Sequence, residues 1–197
     1  MKLIESKTYL NLAKAFAGEC QAYLRYKFIE YGARYNKMEN IAQIVDKIIY
    51  NEFNHARMFY TKIQSASKDF IDNIEICSGY PFKEKWDVCE NLRLAAEDEL
   101  VEGEEVYPSY ARVAREEGFE EIAVLFENIA QIELYHEAIF RKLYNELSKQ
   151  CLYSKKENVV WVCDACGYRA EGKEPWEKCP VCLAERQAIH LDTMYDF

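Results

Sequence analysis

The chain has 197 residues, half of them hydrophobic, which is enough for a medium domain with a small companion and too apolar for wholesale disorder. A formal charge of −9 leaves no surplus of lysine and arginine to meet phosphates, so nucleic acid and anionic membrane surfaces are poor partners. Four prolines and seven glycines, with no proline in the first 80 residues, argue against a many-turned all-β fold.

The opening stretch, MKLIESKTYLNLAKAF, holds no apolar run long enough for a secretory leader or a membrane span, which predicts a cytoplasmic protein with reduced thiols. Apolar residues then recur at helical spacing over 6–34, 38–66, 87–115 and 119–148. Tyr35-Asn36-Lys37 and the region of Gly118 make short links, which set the helices they join antiparallel. Residues 67–86, with Gly79 and Pro81, form a link that reaches roughly 65 Å when extended, enough to return along a helix of roughly 40 Å. The expected product is an all-α four-helix bundle of the ferritin-like kind, with helices two and three parallel. Pro108, inside the third helix, should kink it or open a turn.

The two hairpins resemble each other. Ile41-Ala42, Glu52 and His55 recur as Ile122-Ala123, Glu133 and His136, each displaced by 81 residues, while Glu19 recurs as Glu99 with a displacement of 80. A period that contains a whole helical hairpin suggests duplication of that hairpin.

On helix two the inward stripe runs Ile41, Ile44, Val45, Ile48, Glu52, His55, Phe59; on helix four it runs Ile122, Leu125, Phe126, Ile129, Glu133, His136, Phe140. Helix one carries Glu19 in line with Leu12, Ala15 and Tyr26, and helix three carries Glu99 and Glu102 in line with Leu92, Ala95 and Val106. An unpaired buried carboxylate costs several kcal/mol against a net stability of roughly 5–15 kcal/mol, so this cluster demands neutralisation. No lysine or arginine falls on these inward lines near the cluster. Two divalent cations would offset the charge and use every ligand. Hard oxygens with one imidazole per metal suit iron, manganese or zinc, and Glu on two helices with Glu-x-x-His on two more is the di-metal carboxylate pattern of four-helix bundles. A single Glu-x-x-His usually means a solvated glutamate and a packed histidine. Here two of only three histidines occupy equivalent places in duplicated motifs, which favours the metal.

The expected domains are a bundle over 1–150, a short polar linker over 151–158 and a small module over 159–197. The module holds Cys163-x-x-Cys166 and Cys179-x-x-Cys182, a four-thiolate tetrahedral arrangement that suits structural zinc or a single redox-active iron. Gly167 permits a tight turn after the first pair; Leu183, in the equivalent place after the second, is less suited. Cys20, Cys77, Cys89 and Cys151 lack ligand spacing, with Cys20 expected to face away from Glu19 as a small buried hydrophobe. His190 reads as structural.

Together Glu19, Glu52-x-x-His55, Glu99-x-x-Glu102, Glu133-x-x-His136, the stretch from Tyr107 to Gly118 and the four-cysteine tail resemble the rubrerythrin family over nearly the whole chain. The resemblance implies a ferritin-like di-iron domain with a rubredoxin-like iron module. The implied activity is a non-haem peroxidase that reduces hydrogen peroxide to water, each iron giving one electron, in oxidative-stress defence. Electrons would come from an NAD(P)H-dependent reductase or a small rubredoxin, and in a homodimer one subunit's tail would serve the other's site. Carried over by position, Glu52 and Glu133 bridge the irons, Glu19 and Glu99 are terminal ligands, His136 holds the second iron, and Glu102 and His55 exchange on the first. Tyr26 and Tyr107 either hydrogen-bond ligands or hold peroxide, or else simply pack. The competing readings are a ferritin-like ferroxidase or iron-handling protein, and a scaffold whose tail is a zinc ribbon.

Overall fold

The computed structural model describes residues 2–77 and 87–192; Gly79 and Pro81 of the expected crossover, and the last five residues of the tail, lie outside the described residues. The helices are α1 (Lys7–Tyr35), α2 (Glu39–Gln64), α3 (Val88–Val101), α4 (Tyr107–Glu116) and α5 (Glu120–Ser148), and a π turn at Glu102–Val106 joins α3 to α4. The tail is a three-stranded antiparallel sheet of β1 (Val159–Cys163), β2 (Arg169–Gly172) and β3 (Ile189–Leu191) in the order β2-β1-β3.

Local chemistry sets the ends. Ser6 caps α1 by accepting from the Tyr9 amide, and the Glu117 carboxylate, from the end of α4, accepts from the Lys7 and Thr8 amides. Asp87 caps α3 by accepting from the Glu90 amide. The two hairpin turns match: Met38 N–H donates to Ala33 O at 2.8 Å and Phe119 N–H donates to Ala114 O at 2.8 Å. Between these donors and acceptors, Lys37 (φ 59°) and Gly118 (φ 84°) hold the left-handed conformation that ends a helix.

Two apolar clusters show how the helices run. One joins the C-terminal half of α1 (Ala22 to Ala33) with the starts of α2 and α3 and the end of α5; the other joins the start of α1 with the end of α2, α4 and the start of α5. Helices α2 and α3 therefore begin at the same end of the bundle and run parallel, as expected. Ile71, Ile74 and Ile76 of the link between them lie against the second cluster.

The third segment, expected over 87–115, is opened just ahead of Pro108, as its sequence predicts. Pro108 supplies no N–H, and the ladder ahead of it opens into the π turn, after which α4 restarts with Pro108 in its first turn. Gly103 in this turn lets it approach α5: a Cβ there would stand 2.8 Å from Leu134 and 3.0 Å from the Ala130 carbonyl.

Residues 151–158 are more than a polar tether. Leu152 is buried, and Tyr153 donates to Asn40 Oδ1 at 3.1 Å while packing beside Trp161. With Trp161, Ile189 and Leu191 sharing a cluster with Ala33, Ile41 and Leu143, the module is docked on the bundle end where α2 begins.

Candidate metal centre

The carboxylates and imidazoles converge between the two apolar clusters. Glu19, Glu52, His55 and Glu133 form one group and Glu52, Glu99, Glu133 and His136 another; within each, one ligand atom per residue lies within 4.8 Å of all the others. Every member is buried, and Glu52 and Glu133 belong to both groups. His55 Nδ1 stands 2.9 Å from Glu133 Oε1 and 3.6 Å from Glu19 Oε2; His136 Nδ1 stands 2.9 Å from Glu52 Oε1 and 2.8 Å from Glu133 Oε2.

Short as these distances are, Glu19 Oε2, both oxygens of Glu52 and of Glu133, and both Nδ1 atoms lack a hydrogen-bond partner of acceptable geometry. Atoms this close without alignment are aimed at common points between them. Such a set of orphaned buried donors fits a pair of metal ions, since leaving so many polar atoms unmet would be costly.

Electrostatics point the same way. Burial first, then the neighbouring glutamates, raise Glu52, Glu99 and Glu102 well above the ordinary carboxylate value. Glu133 is pushed up to about 7 by burial and by Glu19, against the pull of His55. Burial alone would lower His55, but the carboxylates of Glu133 and Glu19 raise it to about 10. His136 is lowered, chiefly by burial.

Glu102 stands apart from the others expected on its line. It is half-buried in the π turn and joins neither four-residue group. The two tyrosines hydrogen-bond ligand-group residues: Tyr26 donates to Glu99 Oε1 at 2.6 Å, and Tyr107 donates to Glu19 Oε1. Both also pack on core aromatics, Tyr26 on Phe140 and Tyr107 on Phe59.

Two residues escaped sequence reasoning. Arg25 is largely buried, pairs with Asp98 and has its charge within reach of Glu102. The available signal was that Arg25 and Asp98 each precede one member of the Tyr26–Glu99 pair. Asn51, next to Glu52, places its Nδ2 3.2 Å from His136 Nε2. Cys20 departs from expectation: it faces away from the centre but is exposed, because that face of α1 meets solvent.

In the tail Cys163, Cys166, Cys179 and Cys182 converge, with Sγ–Sγ distances of 3.7 Å (Cys163–Cys182) and 3.6 Å (Cys166–Cys179). These are the edges of a tetrahedron with metal–sulfur bonds of about 2.3 Å, and far exceed a disulfide bond of about 2.05 Å. Gly167 N–H donates to Cys163 O and Leu183 N–H to Cys179 O, so the two knuckles have one form; Leu183 adopts φ 63° to match Gly167 at φ 75°. Amides of Cys182 and Val181 donate to Cys179 and bring its thiol below the usual range despite burial. Cys163 and Cys179 are buried, while Cys166 and Cys182 are exposed beside Val181 and Leu183. His190 is buried, with Nδ1 2.6 Å from Asp164 Oδ1, in keeping with a structural role.

A bundle whose core holds two glutamate–histidine groups sharing two carboxylates, joined to a four-thiolate cluster, defines a ferritin-like di-metal protein with a rubredoxin-like module. Sequence comparison agrees: residues 11–144 match the rubrerythrin family, and residues 161–188 match its rubredoxin-like domain. Similar proteins include a rubrerythrin of Clostridium perfringens, 40% identical over 178 residues that cover 90% of each chain. A rubrerythrin of Nitratidesulfovibrio vulgaris is 34% identical over 186 residues, 94% of each chain. Among solved structures, mixed-valence nigerythrin superimposes with a TM-score of 0.62 at 26% identity, covering 94% of this chain and 89% of the other. The chain belongs to the rubrerythrin family, and it carries that family's di-iron site and four-cysteine iron site. Among the described residues no helix is long and apolar enough to cross a membrane.

Proposed function

We propose that the protein is a peroxidase that reduces hydrogen peroxide to two waters, consuming two electrons and two protons, with electrons arriving through the four-cysteine centre. The observation that carries this reading is the pair of buried ligand groups sharing Glu52 and Glu133, with Glu102 spare beside them. A purely structural site has no use for a spare ligand.

In this reading Glu52 and Glu133 would serve both ions, Glu19 and Glu99 would each serve one, His136 would hold one ion, and His55 and Glu102 would take turns at the other. When bound, the iron pair supplies peroxide with both electrons at once, one from each ion. The surrounding residues manage protons and water. Tyr26 and Tyr107 orient Glu99 and Glu19 by donating to Oε1 of each, and in Glu19 the other oxygen, which lacks a hydrogen-bond partner, would be available to the metal. Glu102, whose hold on a proton is strengthened by burial and then by Glu19, is suited to carry a proton to the substrate. Phe59, Phe126 and Phe140 keep bulk water from the centre.

The exposed edge of the tail cluster, with Cys166, Cys182, Val181 and Leu183, suits one-electron exchange with a docked donor. The donor in this reading is a rubredoxin or an NAD(P)H-dependent reductase. The working units are a bundle over 1–150, a linker over 151–158 and a rubredoxin-like domain over 159–197. A homodimer in which one tail serves the partner's bundle, acting in the cytoplasm against oxidative stress, completes the proposal.

The test is peroxide consumption by iron-loaded protein supplied with reduced rubredoxin. Turnover that depends on both the bundle iron and the tail iron is expected. Iron oxidation by dioxygen with no peroxide turnover would replace this reading with a ferroxidase.

A further inference from the structure

The two Glu-x-x-His motifs are equivalent in sequence but not in what precedes them. Asn51 stands before Glu52 on α2, and Ile132 stands before Glu133 on α5, 81 residues on. Asn51 is exposed, yet its amide reaches inward to lie 3.2 Å from His136 Nε2. The opposite nitrogen of that ring, Nδ1, faces Glu52 and Glu133.

An imidazole that ligates through Nδ1 carries its proton on Nε2, and that N–H needs an acceptor. The amide of asparagine has nearly the same shape with its oxygen and nitrogen exchanged, so a half-turn of the Asn51 amide puts Oδ1 where the acceptor belongs. Partners of this kind fix both the tautomer and the ring plane of a ligating histidine. The isoleucine side chain has no atom that can accept a hydrogen bond, so the side chain at position 132 offers His55 no such partner.

We propose that Asn51 is the positioning residue that fixes His136 as a permanent ligand, and that Ile132 in the equivalent place makes the two halves of the site unequal. The proposal rests on the di-iron reading above. It explains why, of two equivalent histidines, His136 should stay while His55 exchanges with Glu102.

The test uses the full-length metal-free protein with Asn51→Leu, which keeps the volume and removes the acceptor, and Asn51→Asp, which keeps an acceptor oxygen. Each is titrated with Co(II) alone under anaerobic conditions. Visible absorption reports the bundle ions, and thiolate charge-transfer absorption reports the tail separately. In Asn51→Leu one of the two bundle equivalents is expected to weaken about 10–100-fold, with an altered spectrum, while the other and the tail ion are unchanged. Asn51→Asp is expected to restore wild-type binding. Thermal unfolding of the metal-free variants guards against a mere folding defect, which the exposed position makes small. Wild-type affinity and spectrum in Asn51→Leu, or equal weakening in Asn51→Asp, would overturn the proposal. Wild-type protein that fails to bind a cobalt pair in the bundle would overturn the di-iron reading itself.

Discussion

Tyr26 and Tyr107 are equivalent residues, 81 apart, and each donates its hydroxyl to the glutamate of the opposite half: Tyr26 to Glu99, Tyr107 to Glu19. Glu19 and Glu99, however, are 80 apart. The missing step falls at the π turn, Glu102–Val106, which lies between Glu99 and Tyr107. A π turn amounts to one residue inserted into an α-helix. This insertion breaks the symmetry of the duplicated hairpins next to the centre, and Glu102 sits in it.

Removing either hydroxyl strips a buried carboxyl group of a hydrogen bond and leaves one of its oxygens unmet. Tyr26→Phe and Tyr107→Phe are each expected to lower the stability of the metal-free protein by about 1.5–3 kcal/mol at pH 8, read from urea unfolding. A loss near zero would mean that the rings act by packing alone.

Glu102 lies outside both four-residue groups, so its removal should separate binding from turnover. Glu102→Ala is expected to retain two iron equivalents in the bundle while peroxide turnover falls roughly 10–100-fold. Unchanged peroxide reduction would argue against a ligand that moves.

Glu52, Glu99, Glu102 and Glu133 all bind a proton more tightly in the folded metal-free chain than when unfolded. A raised value contributes stability that is complete below about 4.5 and is lost as the pH climbs through the folded value, about 7 for Glu133. His55, raised to about 10, acts in the same direction, while the lowered His136 opposes it. Metal-free protein is therefore expected to resist urea better at pH 5 than at pH 8. Metal binding, which needs the ligands deprotonated, should reverse that order. A metal-free protein more stable at pH 8 would contradict the clustered-carboxylate picture.

The second cysteine knuckle holds Leu183 at φ 63° with its side chain largely in solvent. Relief of left-handed strain, about 1–2 kcal/mol, outweighs the extra freedom glycine gives the unfolded chain, about 0.4–1 kcal/mol. Leu183→Gly should thus stabilise the module by about 1 kcal/mol, seen as slower loss of metal to a chelator. Faster loss would show that the leucine packs in a way its exposure hides.

Much of this was legible in the sequence because two periods coincide. The 3.6-residue apolar stripe assigns an inward direction to Glu52, His55, Glu133 and His136, and the 81-residue repeat makes the coincidence hard to dismiss. The parallel course of α2 and α3 followed from the length of their link. The π turn was only half visible: Pro108 marked a break, but the change of displacement from 81 to 80 was the sharper clue. Arg25 and Asn51 were hidden because stripe analysis weighs inward positions. Both sit at the edge of a stripe and reach the centre by side-chain length. The docking of residues 151–158 was masked by the charged residues around Leu152 and Tyr153.

The central claim is that the four-cysteine centre is wired to a peroxide-reducing di-iron site, and one anaerobic experiment tests it directly. Iron-loaded protein is reduced stoichiometrically and hydrogen peroxide is then added, while the visible absorption of the ferric four-thiolate centre is followed. The account predicts bleaching on reduction and rapid return of colour with peroxide, lost in Glu102→Ala. A tail that stays bleached while peroxide is consumed, or a colourless tail holding zinc, would contradict it.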